Sequence, residues 1–355
     1  MKDLWERLRS ADKPIVLYGM GDGADKILRV LDANGVRISG VFASDGFVRK
    51  KQFHGFPICS YAEIRKAMGD CIVLLAFATS RPPVMEAIEA IDREQELYIP
   101  DVPVAGSVLF DAAFAEKHAG ELREARALFC DEESRALFDS VVRFRLEGKL
   151  SFLKEHTCSR ETMFRTVLHP ESYRYTADLG AYTGDTVAEL MRYAARLSSV
   201  VAFEPDPKTF RQLIRNTACF KQVEPHPLAA WNIHTVLPFS RSGSRSSRVS
   251  READASAEAD SLDHVLDGRP VDFIKYDVEG CEAEALEGSA LSIRRWHPEL
   301  LVSLYHRPED LFRLVFQVRE LYGGYRLYLR REPGIPAWDL NLLAVPEKTS
   351  SRLLF

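Results

Sequence analysis

Asp178-Leu-Gly-Ala-Tyr-Thr-Gly-Asp185, followed about twenty residues later by Val200-Val-Ala-Phe-Glu204-Pro-Asp206, decides the reading of this chain. A strand expected over 175–179 runs into a glycine-rich turn, and an acid ends the next strand. Gly180 and Gly184 let backbone approach a ligand closely. Glu204 stands where a carboxylate accepts both ribose hydroxyls in nucleotide-binding α/β sheets. The spacing Gly180-x-x-x-Gly184 lacks the G-x-G-x-x-G rhythm that seats a pyrophosphate on a helix N-terminus. Asp178 would also repel phosphate, whereas a carboxylate beside the turn suits a cationic amino group. Charge therefore favours S-adenosylmethionine over NAD as the ligand of this turn.

A third segment, Val271-Asp-Phe-Ile-Lys275-Tyr-Asp277-Val-Glu279-Gly280, reads as a buried parallel strand ending in acids. Asp277, Glu279 and Gly280 emerge at the carboxyl edge, where open α/β sheets bind ligands. Glu299–Tyr305 is a further apolar strand, ending in His306-Arg307-Pro308. For removing a proton from an acceptor the candidates are His306, Asp277 and Glu279, with Lys275 as an electrostatic aid. An imidazole of ordinary pKa, ~6.5, suits a base at neutral pH; the other reading of His306 is a histidine that orders the Arg307 loop. Asp277 has two further readings: a contact to the cofactor's amino group, or shared ligation of a divalent cation with Glu279 on the same strand face. A divalent metal is not the favoured reading, and no metal ligand is assigned.

The segments Asp178–Asp185, Phe203-Glu-Pro-Asp-Pro207, Ser261-Leu-Asp263, Ile274-Lys-Tyr-Asp-Val-Glu-Gly280 and Tyr305-His-Arg-Pro-Glu-Asp310 resemble the FkbM family of S-adenosylmethionine-dependent methyltransferases. The likeness runs in order from about residue 172 to 346, roughly half the chain. It implies a class I methyltransferase fold and methylation of a hydroxyl on a sugar, glycan or natural-product acceptor. Asp178, Gly180, Ala181 and Gly184 would then frame the methionyl part of the cofactor. Glu204 and Pro205 would hold the ribose, Ala229, Ala230 and Trp231 would flank the adenine, and Asp277 would complete the shell. Tyr182-Thr183 departs from the family's usual Asn and aliphatic residue at the tip of the turn. The segments 325–330 and 340–345, joined through Pro333-Gly-Ile-Pro336, are too close for a crossover helix and require an antiparallel hairpin at the end of the sheet.

Upstream lies a second α/β pattern. A strand over 15–18, a glycine turn over 19–24, a helix over 25–33 and a strand over 36–42 are followed by a helix at 61–68, a strand at 71–77 and a helix at 82–91. Such alternation implies a small Rossmann-like parallel sheet. Gly19-x-Gly21-x-x-Ala24, with Asp45 beyond it, satisfies the dinucleotide pattern, although the unit is about half the usual size. It also resembles the small domain found beside bacterial sugar-modifying enzymes, where Gly-Phe-Pro recurs, here Gly55-Phe56-Pro57. Its candidate roles are nucleotide binding, scaffolding, dimerisation and acceptor binding. Residues 107–171 read as a helical connector that braces this domain and roofs the active site. Arg241–Arg248 reads as a basic loop over the site, which with Arg307 would meet an anionic group of the acceptor, and Ala253–Ala259 as a short biased loop. The organisation is therefore a small Rossmann-like α/β domain over 1–106, the connector over 107–171 and a mostly parallel methyltransferase sheet with an antiparallel last strand over 172–355. Rival functions are an N- or C-methyltransferase on the same fold and a nicotinamide-dependent sugar-modifying oxidoreductase.

With 355 residues, two domains are expected. A net charge of −5 gives no support to nucleic-acid or anionic-membrane binding. The six cysteines show no Cys-x-x-Cys pair, which fits reduced thiols and no zinc site. No apolar run reaches the ~20 residues of a membrane helix, and the charged N-terminus lacks a signal-peptide core. The expectation is a cytoplasmic enzyme with a small-molecule or glycan acceptor and no nucleic-acid partner. A homodimer is left open.

Overall fold

The computed structural model describes residues 3–44, 52–240, 248–249 and 255–347. Its first sheet has six strands, β1 (Ile15–Tyr18), β2 (Gly40–Phe42), β3 (Gln52–Phe53), β4 (Phe56–Cys59), β5 (Ile72–Leu75) and β6 (Glu96–Tyr98), in the order β3-β4-β2-β1-β5-β6. Every pair is parallel except β3–β4. All residues of β1 and β5 are buried, which explains their unbroken aliphatic sequence. The helix Asp22–Ala33 begins three residues earlier than the sequence reading, directly after Gly21 at φ 107°, with Asp22 and Asp25 at its positive end. Gly23 thus lies inside the helix, where a Cβ would collide with the Ala76 carbonyl at the end of β5. Strand β2 is shorter than its apolar pattern, because Val36 closes the preceding helix by donating its N–H to Leu31 O at 2.9 Å.

The second sheet contains β7 (Tyr175–Leu179), β8 (Ser199–Phe203) and β9 (Val223–His226), then, after a small separate sheet, β14 (Phe273–Tyr276), β15 (Glu299–Ser303), β16 (Tyr325–Arg331) and β17 (Leu340–Pro346). Its order is β16-β17-β15-β14-β7-β8-β9. Strand β17 inserts between β15 and β16 and runs antiparallel to both, while the other pairs are parallel. The mixed α/β architecture of the sequence reading, including the antiparallel last strand, is therefore present. The small sheet holds β10 (Ala229–Ala230), β11 (Thr235–Ser240), β12 (Arg248–Val249) and β13 (Ala255–Asp260). Residues 255–259, read as loop, instead pair antiparallel with β11, from Thr235↔Ala259 to Phe239↔Ala255. Ala257 and Ala259 form the buried face of that strand, an alternation too weakly apolar to stand out in sequence.

The helical connector corrects a further expectation. The helix Glu132–Glu147, capped by Asp131, lies against β16 and not over the site. Ser134 Oγ accepts from Leu329 N at 2.9 Å and from Arg330 Nη1 at 2.8 Å, and the Arg330 guanidinium pairs with Asp131. The helix Ala119–Ala127 packs on Asp310–Leu321. The connector braces both domains, since Phe144 enters the core of the first domain and Phe138 that of the second. Among the described residues, no helix is long and apolar enough to cross a membrane.

Candidate active site

The carboxyl ends of β7, β8 and β14 open into a cavity of about 410 Å³, within the ~300–1,000 Å³ of small-molecule sites. Its roof comes from the first domain, through Asp22, Lys26, Thr79, Ser80 and Val104, and the connector adds only Arg160. Six carboxylates and three cationic side chains line it among the described residues.

At the base, Gly180 takes φ 82°, and a Cβ there would collide with the Asp277 carbonyl oxygen. Only glycine lets the β7 and β14 ends close on each other. The N–H groups of Gly180 and Ala181 both donate to Phe203 O, at 3.1 and 2.8 Å, which fixes the turn across the end of β8. Ala181 is buried behind the turn. Gly184, at φ 87°, caps the helix Asp185–Tyr193 and packs against Thr217 and Leu213, so its role is to seat the helix, while the neighbouring Asp185 lines the cavity.

Glu204 is nearly buried yet lines the cavity, and its Oε1 accepts the Asp206 N–H at 2.8 Å. Burial pushes its carboxyl up to about 7, against the pull of that N–H. Pro205, Leu228, Ala229 and Ala230 continue the wall. Trp231 does not line the cavity: its backbone is anchored to Asp260 O at 2.9 Å and its carbonyl rests against Gly288.

Asp178 also lies behind the cavity wall. It is fully buried, with Oδ1 accepting from Lys275 Nζ at 3.0 Å, and Nζ also donates to Gly180 O at 3.1 Å. Burial raises the Asp178 carboxyl and Lys275 draws it back only in part. Burial would lower the Lys275 ammonium, but Asp178 and Asp277 outweigh it and raise it. Lys275 itself lines the cavity, so this pair sets the charge beneath the glycine turn.

Asp277 and Glu279 face the cavity, as the sequence reading expects. Asp277 Oδ1 accepts from Ser303 Oγ and Tyr305 OH, both at 3.0 Å, and its Oδ2 stands 3.9 Å from Lys275 Nζ. Burial would raise its carboxyl, but Lys275, His306 and those two hydroxyls hold it below the usual carboxylate range. Three non-glycine residues on the cavity wall, Tyr182 (φ 47°), Glu279 (φ 57°) and Asp339 (φ 55°), hold left-handed backbone, a strain that clusters at functional sites.

His306 differs from the expected free base. It is fully buried beneath the wall and absent from the cavity lining. Nδ1 lies 2.9 Å from Glu282 Oε1, off the line of a well-aligned hydrogen bond, and Nε2 lies 3.7 Å from Asp277 and 3.8 Å from Glu279. Burial lowers its pKa, yet Glu282, then Glu279 and Asp277, push it up to about 10. At neutral pH it is therefore an imidazolium, a counter-ion to the carboxylates and not a proton acceptor. Asp277, Glu282 and His306 also bring one ligand atom each within 4.8 Å of the others, a grouping able to hold a cation once the imidazole loses its proton. Arg307 is likewise turned away from the cavity, its Nε donating to Gly280 O at 2.9 Å. Asp45, Arg241 and Arg245 lie outside the described residues, as does the side chain of Arg248.

Fold and site together define an S-adenosylmethionine-dependent methyltransferase of class I. The residues present fit that cofactor: a tight glycine turn at the end of β7, the Glu204 carboxylate at the end of β8 and an acidic lining suited to a cation. Residues 178–332 match the family model of the methyltransferase FkbM domain. Among solved structures, methyltransferase FkbM from Methylobacillus flagellatus KT is 19% identical, with a TM-score of 0.73 over 95% of this chain and 91% of that one. The two share their fold across both domains. Aeropyrum pernix fibrillarin with bound S-adenosyl-L-methionine is 13% identical over 48% of this chain and 66% of its own, with a TM-score of 0.32. An rRNA methylase from Streptococcus thermophilus is 14% identical over 49% and 86%, with a TM-score of 0.34. No curated protein matches the chain.

Proposed function

We propose that the enzyme methylates a hydroxyl oxygen on a sugar, glycan or similar small natural-product acceptor. The observation that carries this reading is the charged Asp277 carboxylate facing the cavity beside Gly180, with one oxygen held by Ser303 and Tyr305 and the other near Lys275. The bound sulfonium supplies an activated methyl group. Asp277 Oδ2 accepts the acceptor hydroxyl's hydrogen bond, aims its lone pair into the cavity and takes the proton as the oxygen loses it. A carboxylate held below its usual range binds that proton weakly, so transfer to it is late and the proton leaves readily to water. The first domain roofs the cavity over these groups.

The oxidoreductase reading fares worse. The first turn of the helix Asp22–Ala33 carries Asp22 and Asp25, which repel a pyrophosphate, and Asp22 and Lys26 face the methyltransferase cavity instead. Incubation with a donor carrying a carbon-13 methyl group and hydroxylated metabolites, followed by NMR of the product, tests the proposal. An O-methyl resonance, suppressed in Asp277→Asn, is expected; an N- or C-methyl product refutes it.

A further inference from the structure

We infer that the segment joining β16 to β17 is the acceptor platform, with the Trp338 ring receiving the apolar face of a pyranose. This rests on the methyltransferase reading and assigns part of its acceptor subsite. The segment belongs to the second sheet in sequence but to the first domain in packing. Ile335 and Ala337 are buried in the first domain's hydrophobic core with Tyr18, Phe42 and Leu75. Thr79 grips the same stretch, its N–H donating to Ile335 O at 2.8 Å and its carbonyl accepting from Ile335 N at 3.0 Å. From within, Arg331 Nη1 donates to Gly334 O at 2.9 Å. Pro336 and Trp338 stand on the cavity wall with Ile335, while Ala337 is turned wholly into the core.

Trp338 is 38% exposed, in a structure whose large apolar side chains are mostly covered. Its ring stacks beside that of Tyr305, with centroids 6.4 Å apart and planes at 28°. The Tyr305 hydroxyl in turn donates to Asp277. The aromatic surface is thus continuous with the carboxylate assigned to the acceptor hydroxyl. Asp339, held in left-handed backbone with its carbonyl accepting from Glu332 N and Asn341 Nδ2, places a second carboxylate on the same wall.

An aromatic face edged by carboxylates matches one chemistry well. A pyranose presents C–H groups on one face, which lie on the ring's negative π surface, and hydroxyls at its rim, which donate to carboxylates. A phosphorylated acceptor is opposed by an excess of three carboxylates over cationic groups among the described lining residues, six against three. A phenol would use the ring but present only one hydroxyl to a wall that carries two carboxylates, Asp277 and Asp339. The role of the first domain follows: by gripping Ile335 and Ala337 it sets where Trp338 stands, and so builds half of the acceptor subsite.

The test is saturation-transfer difference NMR on the full chain with S-adenosylhomocysteine present. The probes are methyl glucopyranoside, methyl galactopyranoside, methyl mannopyranoside and methyl rhamnopyranoside, with glycerol, phenol and glucose 1-phosphate as comparators. Saturation is expected on the ring C–H protons of at least one pyranoside. Trp338→Ala should weaken that probe about tenfold, the scale of truncating a central aromatic contact, while Trp338→Phe retains most of it. Both variants should bind S-adenosylhomocysteine as the parent does, which shows that the fold and cofactor cradle survive. Three results overturn the inference: no pyranoside saturated, saturation unchanged in Trp338→Ala, or phenol or glucose 1-phosphate preferred. Failure of the parent chain to bind S-adenosylhomocysteine removes the underlying methyltransferase reading as well and is distinguishable from all three.

Discussion

Lys275→Met isolates the charge arrangement beneath the glycine turn. Lys275 and Asp178 are both buried, 6% and 0% exposed at the side chain, and meet at 3.0 Å. Removing the ammonium leaves the Asp178 carboxylate buried without its counter-charge and frees the Gly180 carbonyl of a donor. Breaking a buried pair from one side costs ~3–5 kcal/mol. At ~2–4 °C per kcal/mol for a domain of this size, the melting temperature of the second domain should fall by ~6–20 °C. The deficit should also depend on pH. A carboxyl whose folded pKa lies above its unfolded value binds the proton more tightly when folded, so stability is gained as pH falls through the folded pKa. The Asp178 pKa is already raised by burial, and losing Lys275 raises it further, so the deficit of Lys275→Met should shrink as pH falls. Lys275→Met with Asp178→Asn should recover much of the loss, because both charges are then gone. Scanning calorimetry of the parent, the single variant and the double variant decides the matter. A deficit below ~1 kcal/mol, the scale of an exposed pair, or one independent of pH, refutes the reasoning.

Gly180→Ala should lower the melting temperature by several degrees and abolish S-adenosylhomocysteine binding, since a Cβ there meets the Asp277 carbonyl and the backbone is left-handed; unaltered binding in calorimetry contradicts this. Glu204→Gln should weaken S-adenosylhomocysteine ~10–100-fold, the scale of hydrogen bonds to a charged acceptor. With the parent carboxyl raised to about 7, affinity should climb with pH through that value in the parent and stay flat in the variant, as titration calorimetry at several pH values would show. His306→Gln should cost ~3–5 kcal/mol near neutral pH by leaving Glu282 buried and unpaired. The folded imidazole pKa of about 10 exceeds the unfolded value, so this contribution is full below ~6.5 and fades as pH rises through about 10. Chemical denaturation across that range checks it, and a maximum loss at alkaline pH would contradict it.

The sheet edge was legible because each strand announces itself and ends on chemistry. Asp178-Leu-Gly, Phe203-Glu204 and Ile274-Lys-Tyr-Asp277 carry buried strands into charged or glycine turns, and these turns meet around one cavity. Burial depth was not legible. Asp178 and His306 carry the residue types of a site yet lie behind its wall, because Lys275 and Glu282 neutralise them there, and pairing partners remote in sequence leave no local mark. Trp231 passes for an adenine wall until its backbone is seen anchored away from the cavity. Trp338 escaped for the opposite reason: Pro333-Gly-Ile-Pro336 reads only as a hairpin connection, and nothing local shows that the first domain buries Ile335 and Ala337 and so presents the tryptophan. The domain seam is a tertiary event, and the sequence of either domain alone does not contain it.

Crystallography of the complex with S-adenosylhomocysteine tests the central claim most directly. The account predicts the ligand between the domains at the ends of β7 and β8, its ribose hydroxyls on the Glu204 carboxylate and its adenine along Leu228 and Ala229. Ligand density at the Gly19–Gly21 turn with the Glu204 wall bare would contradict it.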